Sequence, residues 1–278
     1  MKARPEIVGL IPAAGTASRL APLPCSKEIL PVGFRARDGR DGPRPMAACE
    51  HLLESMRQGG AQRAYVVLRD GKWDIPAYLG DGEEAGLQLA YLVGRVPFGV
   101  PFTLDQAYEF VRGQQVVCGF PDILTEPGDV FTPLLERLDE TGAAVALALF
   151  PADDPQTMDQ VKVDEDGRVR FIQVKPGPDL LDSGWVVAAW GPEFTELLHT
   201  WVARASEHIR RHGSLEEEPH LGDVVQAAIE AGLIVQSFAF PSGSFIDIGA
   251  PERLSDIWRR AADAVSTTGG APDTEGAG

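Results

Sequence analysis

Cysteine is scarce in this sequence, and long hydrophobic runs are missing. The 278 residues include three cysteines, Cys25, Cys49 and Cys118, whose spacing is not that of a metal site. Their odd number argues against a disulfide framework, so we expect a reducing, cytoplasmic setting.

No apolar run approaches the roughly 20 residues of a membrane-spanning helix. Residues 1–10 have no signal-peptide core, and we therefore expect no membrane segment.

Basic residues are too few to balance the acidic ones. The chain has 25 Lys and Arg against 41 Asp and Glu, a formal net charge of −16, which argues against nucleic acid as a partner. The basic residues are concentrated early, because residues 1–72 contain 12 Lys and Arg against 7 Asp and Glu. An anion site in this part of the chain is one explanation, and a solvated basic face is the other.

The pattern of apolar segments predicts an α/β fold. With 44% hydrophobic residues, the chain can bury the core of one large domain, which we place at residues 1–265. Short apolar runs alternate with amphipathic segments, which indicates a single Rossmann-like domain with a mostly parallel central sheet, helices on both faces and a small hairpin subregion. Residues 266–278 are small and polar, and we expect a disordered tail there.

The predicted elements follow from periodicity and turn residues. The predicted strands are residues 7–11, 64–68, 87–93, 115–120, 143–150 and 184–190, with a hairpin at 159–164 and 168–172. The predicted helices are residues 47–58, 73–79, 103–111, 131–140, 192–210 and 221–229. Residues 33–44 are expected to form an exposed loop, and residues 97–102 to be irregular because they contain two prolines and a glycine.

Two common nucleotide-binding motifs are absent, yet residues 7–32 have the parts of an anion site. There is no G-x-x-x-x-G-K-S/T and no G-x-G-x-x-G. Instead, strand 7–11 leads into a loop of small residues whose backbone N–H groups can face an anion: Ala13, Ala14, Gly15 and Thr16. Arg19 and Lys27 add positive charge. A small-residue turn also simply connects strand to helix in doubly wound domains, so the loop alone leaves both possibilities open.

This loop is followed by Arg19, Lys27 and the sequence Leu30-Pro31-Val32. Together they resemble the signature of the sugar-phosphate nucleotidyltransferases, the pyrophosphorylases that make nucleotide sugars. Ala17 departs from the pattern, because that family commonly has glycine there, and the segment from Arg19 to Lys27 is shorter. No hexapeptide repeat follows, so the resemblance is to glucose-1-phosphate thymidylyltransferases without a β-helix domain.

The resemblance implies roles for three residues further along the chain. Asp122 and Asp247 match the two carboxylates that hold Mg²⁺ in the family, and Gly99 matches the loop over the nucleobase. Taken singly, Asp122 could be a turn residue and Asp247 a helix entry. The thymidylyl- and uridylyltransferases typically have a glutamine just before that loop. This sequence has none there, so the base stays open.

The acceptor side of the resemblance rests on Lys175, Val174 and Asp223. Lys175 matches the family's lysine for the sugar phosphate, although a lone lysine at a strand end is usually a solvated charge. Val174 stands where the family has an acid that contacts a sugar hydroxyl. Asp223 matches an acid of the family's late helix, with helix capping as the alternative role.

The resemblance thus implies a Mg²⁺-dependent enzyme that joins a nucleoside triphosphate to a sugar 1-phosphate, with dTTP and glucose 1-phosphate as the first expectation. Arg19 and the loop amides would hold the β- and γ-phosphates, Lys27 would neutralise charge near the α-phosphate, and Lys175 would position the acceptor. Two alternatives stay open: cytidylyl or guanylyl transfer to an alditol phosphate, cyclitol phosphate or phosphonate, and a non-catalytic nucleotide-sugar sensor. The oligomeric state is also left open.

Overall fold

A nine-stranded sheet forms the centre of the molecule. The structure is a computed structural model, and it describes residues 5–35, 43–94, 99–151, 158–174 and 183–268, with side chains up to residue 261. The sheet strands are β1 (Ile7–Pro12), β4 (Arg63–Leu68), β5 (Gln88–Val93), β6 (Gln115–Gly119), β8 (Val145–Pro151), β9 (Gln160–Val163), β10 (Val169–Gln173), β11 (Ser183–Trp190) and β12 (Val235–Ala239). Two further ribbons pair β2 (Pro31–Arg35) with β3 (Arg44–Ala47), and β7 (Ile123–Glu126) with β13 (Ser244–Asp247).

The helices connect these strands. They are α1 (Ala48–Gln58), α2 (Asp74–Leu79), α3 (Gly99–Asp105), α4 (Tyr108–Val111), α5 (Phe131–Thr141), α6 (Pro192–His212), α7 (Leu221–Glu230) and α8 (Pro251–Thr268). Short 3₁₀ helices cover Lys27–Ile29 and Glu83–Ala85. In the described part of the chain, no helix is both long and apolar enough to cross a membrane.

The predicted α/β class with a mostly parallel sheet is confirmed. Strand β1 lies between β4 and β6 and is parallel to both, β5 is parallel to β4, and β12 is parallel to β8. The antiparallel strand pairs of the described central sheet include the predicted hairpin β9–β10 and the pairs that β11 makes with β6, β8 and β9. Parallel strands need crossover connections, which the intervening helices provide.

Two hydrophobic cores lie on the two faces of the sheet. Side chains of β1 alternate between them: Leu10 packs in the core that contains Phe194 of α6, and Ile11 in the core that contains Leu53 of α1. All four side chains are less than 3% exposed. This alternation follows from the two-residue period of a strand, and it confirms the predicted helices on both faces.

Three predicted segments differ from the structure. Helix α3 begins at Gly99, so residues 99–102 are helical rather than irregular. Residues 33–35 and Arg44 belong to the ribbon β2–β3 rather than to a loop, while residues 36–42 lie outside the described part. Helix α8 extends to Thr268, beyond the predicted start of the tail.

A third, smaller core joins the two ends of the domain. Leu30 and Val32 pack against Ile248, Leu254 and Ile257. The contact between α8 and β2 is reinforced because Trp258 Nε1 donates a hydrogen bond to the Pro31 carbonyl oxygen over 2.8 Å. This packing brings the chain that follows the small-residue loop next to the ribbon that ends at Asp247.

Candidate active site

The small-residue loop leaves the carboxyl end of β1, where ligands bind in open α/β sheets. The Ala13 N–H donates to the Val67 carbonyl oxygen over 2.9 Å and continues the pairing with β4, so the turn begins at Ala14. A Cβ added to Gly15 would meet no atom within 4 Å, so this part of the loop faces open space. Ala17 has φ +52°, a left-handed conformation that glycine adopts more readily.

Arg19 and Asp247 meet at the edge of this loop. Arg19 Nη2 lies 3.4 Å from Asp247 Oδ2, and the guanidinium side chain is 64% exposed. The other carboxylate oxygen, Oδ1, accepts a 2.7 Å hydrogen bond from the Gly249 N–H. An exposed guanidinium next to a fixed carboxylate keeps most of its donors available to an incoming anion.

Lys27 and Asp122 form a second charged pair a short distance away. Lys27 Nζ donates to Asp122 Oδ2, and both side chains are more than four-fifths buried. Burial alone would lower the pKa of the Lys27 ammonium, but the Asp122 carboxylate outweighs it and raises the pKa above its ordinary value. Lys27 is therefore a cation at neutral pH, held beside the carboxylate that the sequence predicts to bind Mg²⁺.

The two carboxylates meet because of the register of the β7–β13 ribbon. Asp247 is paired with Ile123, the residue that follows Asp122, and the Ile248 N–H donates to the Asp122 carbonyl oxygen over 3.0 Å. Gly249 completes the arrangement. A Cβ there would lie 2.8 Å from Arg19 Nη2, 2.8 Å from Asp247 Oδ1 and 3.6 Å from Asp122 Oδ2. Arg19, Asp122 and Asp247 thus converge on one small space.

This donor set fits Mg²⁺. Magnesium sites that act on phosphates usually consist of one or two carboxylates completed by phosphate oxygens and water. Asp122 and Asp247 supply two carboxylates beside the space at Gly249. Among the described residues there is no group of three or more His, Cys, Asp or Glu side chains that could hold a metal alone. The site therefore suits a metal that arrives with a phosphate-bearing substrate.

A cleft of about 690 Å³ has Lys27, Asp122 and Asp247 in its walls, whereas Arg19 is not among its described wall residues. Its walls come from the small-residue loop, the Lys27 helix, α3 and the acidic loop before α7; they include Ala14, Gly15, Thr16, Lys27, Glu28, Gly99, Asp122, Glu216, Glu217, Glu218, Pro219 and Asp247. Gly99 has φ +78°, and a Cβ there would lie 2.4 Å from the Pro219 carbonyl oxygen. Glycine is therefore required where the acidic loop packs over α3.

A smaller cavity of about 210 Å³ adjoins the cleft and shares Asp247 with it. Most of its described walls are apolar, and the full set is Val100, Phe120, Ile123, Met158, Asp159, Trp185, Val186, His220, Leu221, Phe245 and Asp247. Trp185 Nε1 is buried without a hydrogen-bond partner in the described structure. The cleft and this cavity share four wall residues, Val100, Phe120, Ile123 and Asp247.

Of the three predicted acceptor residues, the structure describes Val174 and Asp223. Lys175 lies outside the described residues. Val174 packs at the start of α7, where its Cγ2 lies 3.0 Å from the Cβ position of Gly222. Asp223 Oδ2 accepts a 2.7 Å hydrogen bond from the His220 N–H and so caps α7. Neither Val174 nor Asp223 is among the described wall residues.

The sequence as a whole matches the family described as nucleotidyl transferase over residues 8–264. The chain belongs to the nucleotidyl transferase family. The family expected from the motifs at Arg19, Lys27, Asp122 and Asp247 is thereby confirmed.

Relatives of this nucleotidyl transferase share about a quarter of its residues. It is 24% identical over 250 residues to the low-salt glycan biosynthesis nucleotidyltransferase Agl11 of Haloferax volcanii, covering 88% of this chain and 63% of that protein. It is 26% identical over 257 residues to a glucose-1-phosphate thymidylyltransferase of Streptomyces griseus, covering 90% of this chain and 64% of that protein. The chain therefore spans less than two thirds of the length of these curated relatives.

The fold is shared with solved structures. A Bacillus anthracis protein described as a glucose-1-phosphate thymidylyltransferase, in complex with sucrose, superposes with a TM-score of 0.74 at 21% identity, covering 92% of this chain and 96% of that one. At this identity the similarity establishes the architecture of the nucleotidyl transferase chain.

Sequence reasoning missed several residues of the site. The buried pair Glu28–Lys72, the space at Gly249 and the acidic loop at Glu216, Glu217 and Glu218 were not predicted as parts of it. Glu28 directly follows Lys27, and that adjacency was the available signal. The role of Gly249 depends on a ribbon register that no local pattern reveals.

Proposed function

We propose that the protein transfers a nucleoside monophosphate from a nucleoside triphosphate to a sugar 1-phosphate, forming a nucleotide sugar and pyrophosphate. The observation that carries this proposal is the convergence of Arg19, Asp122 and Asp247 on the space at Gly249, with Lys27 paired to Asp122. Two cations and two carboxylates at the edge of a cleft suit a reaction in which charge moves between phosphate oxygens.

Each residue has a distinct part in this scheme. An oxygen of the acceptor phosphate attacks the α-phosphorus, and the bond from the α-phosphorus to the bridging oxygen breaks as pyrophosphate leaves. Arg19 and the loop amides would bind the departing pyrophosphate, and Lys27 would neutralise charge at the α-phosphate. Lys175 would position the acceptor phosphate. Asp122 and Asp247 would hold Mg²⁺, which when bound polarises phosphoryl oxygens.

For the substrates we propose dTTP and glucose 1-phosphate, in a cytoplasmic setting. The support is the Streptomyces griseus relative, a glucose-1-phosphate thymidylyltransferase that aligns with 90% of this chain. The thiols of Cys25, Cys49 and Cys118 are free, which agrees with a reducing compartment.

Val174 favours a second candidate, because it stands where the family has an acid that contacts a sugar hydroxyl. The glutamine that is typical of thymidylyl- and uridylyltransferases is also missing before Gly99. Cytidylyl or guanylyl transfer to an alditol phosphate, a cyclitol phosphate or a phosphonate is the corresponding alternative.

An assay of pyrophosphate release tests the proposal. It combines each of ATP, CTP, GTP, UTP and dTTP with a panel of phosphate and phosphonate acceptors in the presence of Mg²⁺. Release with a sugar 1-phosphate is expected, and the pair with the highest kcat/KM identifies the substrates. Nucleotide binding without release from any pair would contradict the enzyme proposal and favour a sensor.

The metal ligands are tested by Asp122→Asn and Asp247→Asn. Each change removes a negative charge from the proposed Mg²⁺ site, so kcat should fall by about 100-fold or more. The circular dichroism spectrum should match that of the wild type in both variants. A variant with wild-type kcat would exclude that residue from the metal site.

A further inference from the structure

Lys27 reaches the cleft from an intrinsically weak element. Its 3₁₀ helix has three residues. Two backbone hydrogen bonds hold it, both 3.1 Å long: the Ile29 N–H donates to the Ser26 carbonyl oxygen, and the Leu30 N–H donates to the Lys27 carbonyl oxygen. Helices of this type are short and have poor hydrogen-bond geometry. Further contacts are needed to fix the direction in which the Lys27 side chain points.

The residues on both sides of Lys27 are held by one neighbouring segment. Asp74 accepts hydrogen bonds from the Ser26 N–H at 2.6 Å and from Ser26 Oγ at 2.8 Å. Lys72 Nζ donates to Glu28 Oε1 over 2.6 Å. Residues 26 and 28 are therefore both attached to residues 72–74, while Lys27 between them turns toward Asp122.

The Glu28–Lys72 pair is buried to an unusual degree. The side chains are 2% and 7% exposed, and Glu28 Oε2 has no hydrogen-bond partner among the described residues. A buried pair of this kind is costly to desolvate, and well-packed apolar side chains in its place are often neutral for stability or stabilising. Its presence at the wall of a charged cleft, which includes Glu28, therefore indicates a role other than stability.

We propose that Ser26, Glu28, Lys72 and Asp74 form a clamp that positions Lys27 against Asp122. The clamp residues are positioning residues, because they act through Lys27. The effect on turnover rests on the proposed function, whereas the placement of the Lys27 side chain can be measured without it.

The first test measures the position of the Lys27 side chain in a variant that should remain folded. In Glu28→Met/Lys72→Met both charges are replaced by apolar side chains of similar length, so the variant should fold. Lys27 should then leave its buried position, and its acylation rate, followed by mass spectrometry of short pulses, should rise by at least about 3-fold. The exposed Lys162 serves as an internal reference whose rate should not change. Glu6→Met/Arg63→Met, which removes a 2.9 Å pair elsewhere, is the matched control.

The second test uses turnover in two backgrounds. The double Met substitution should lower kcat by at least about 10-fold in the wild-type chain. In a Lys27→Ala chain it should lower kcat by less than about 2-fold, because that chain has no Lys27 side chain for the clamp to position. Equal losses in both backgrounds would show a merely structural role and would overturn the proposal. Asp74→Ala, which removes the Ser26 bonds and leaves the buried pair, should also raise Lys27 acylation.

The outcomes distinguish the clamp from the proposed function. Faster acylation of Lys27 in a protein that turns over no substrate would support the clamp and contradict the function. Wild-type acylation and wild-type kcat in the double Met variant would overturn the clamp. If that variant does not fold, the Asp74→Ala result decides: unchanged acylation overturns the clamp, and faster acylation supports it.

Discussion

At Gly249, the missing side chain is what leaves room between a guanidinium and two carboxylates. The nearest atoms to its Cβ position belong to Arg19, Asp247 and Asp122. The types of these three residues, and the places of Arg19 and Asp122 after predicted strands, could be read from the sequence. The space between them could not, because it arises from a pairing of residues that are more than a hundred positions apart.

Substitution Gly249→Ala is expected to impair turnover with little effect on folding. The added methyl group lies 2.8 Å from Arg19 Nη2 and Asp247 Oδ1, closer than real contacts allow, so one of these groups must move. We expect kcat to fall by about 10-fold, and the thermal midpoint to change by less than about 2 °C. Gly128→Ala, at an open position, is the control. Equal kcat in both variants would contradict the role of this space.

Among the helices, α1 is anchored at its N-terminus by the buried carboxylate of Glu50. Glu50 accepts from the Ala47 N–H at 3.1 Å and from two Arg44 nitrogens at 2.9 and 2.6 Å. Tyr78 Oη donates a further hydrogen bond of 2.6 Å to it. Burial by itself would raise the pKa of Glu50, but these hydrogen bonds, those from Arg44 above all, lower it.

The ionised Glu50 carboxylate should therefore increase the free energy of unfolding, and this contribution should depend on pH. A depressed pKa in the folded state stabilises the fold above the ordinary value of 4.5, and this contribution is lost as the pH falls through the lower folded-state value. Urea unfolding of Glu50→Gln should give a loss of about 2 kcal/mol at pH 7. The difference from the wild type should shrink below pH 4.5. The exposed Glu140→Gln should show no such loss; a loss that does not vary with pH would contradict the ionic origin.

The elements differed in how well the sequence predicted them. Buried strands such as β4 and β8 are continuous apolar runs, so their positions were correct to within a residue or two. The ribbon β2–β3 was missed because its strands contain Gly33 and Pro45, which are typical of turns. The start of α3 was missed for a similar reason, although a proline is tolerated in the first turn of a helix, where Pro101 lies.

Across the whole molecule, the site joins distant parts of the chain. Arg19 and Asp247 are 228 residues apart, and Lys27 and Asp122 are 95 residues apart. A ligand that binds all four residues therefore stabilises the packing of the early loop against the late ribbon. That linkage acts only through the folded state.

Nucleoside triphosphate with Mg²⁺ should raise the thermal midpoint. At 100 times the dissociation constant, the stabilisation is about 2.7 kcal/mol, which corresponds to roughly 5 °C for a domain of this size. EDTA should remove the part of the rise that depends on Mg²⁺, and Asp247→Asn should lose it as well. Differential scanning fluorimetry measures the shift. An equal rise in the Asp247→Asn variant would contradict a metal site shared by the two carboxylates.

The pairing of Ile123 with Asp247 also ties the proposed activity to complete folding, because the two carboxylates meet only where the ribbon β7–β13 is formed. This ribbon is a two-stranded sheet separate from the nine-stranded one. A chain with the central strands formed and the ribbon open would have ordered secondary structure and no paired carboxylates. In a refolding experiment, recovery of activity therefore reports closure of this ribbon, which recovery of the circular dichroism spectrum does not.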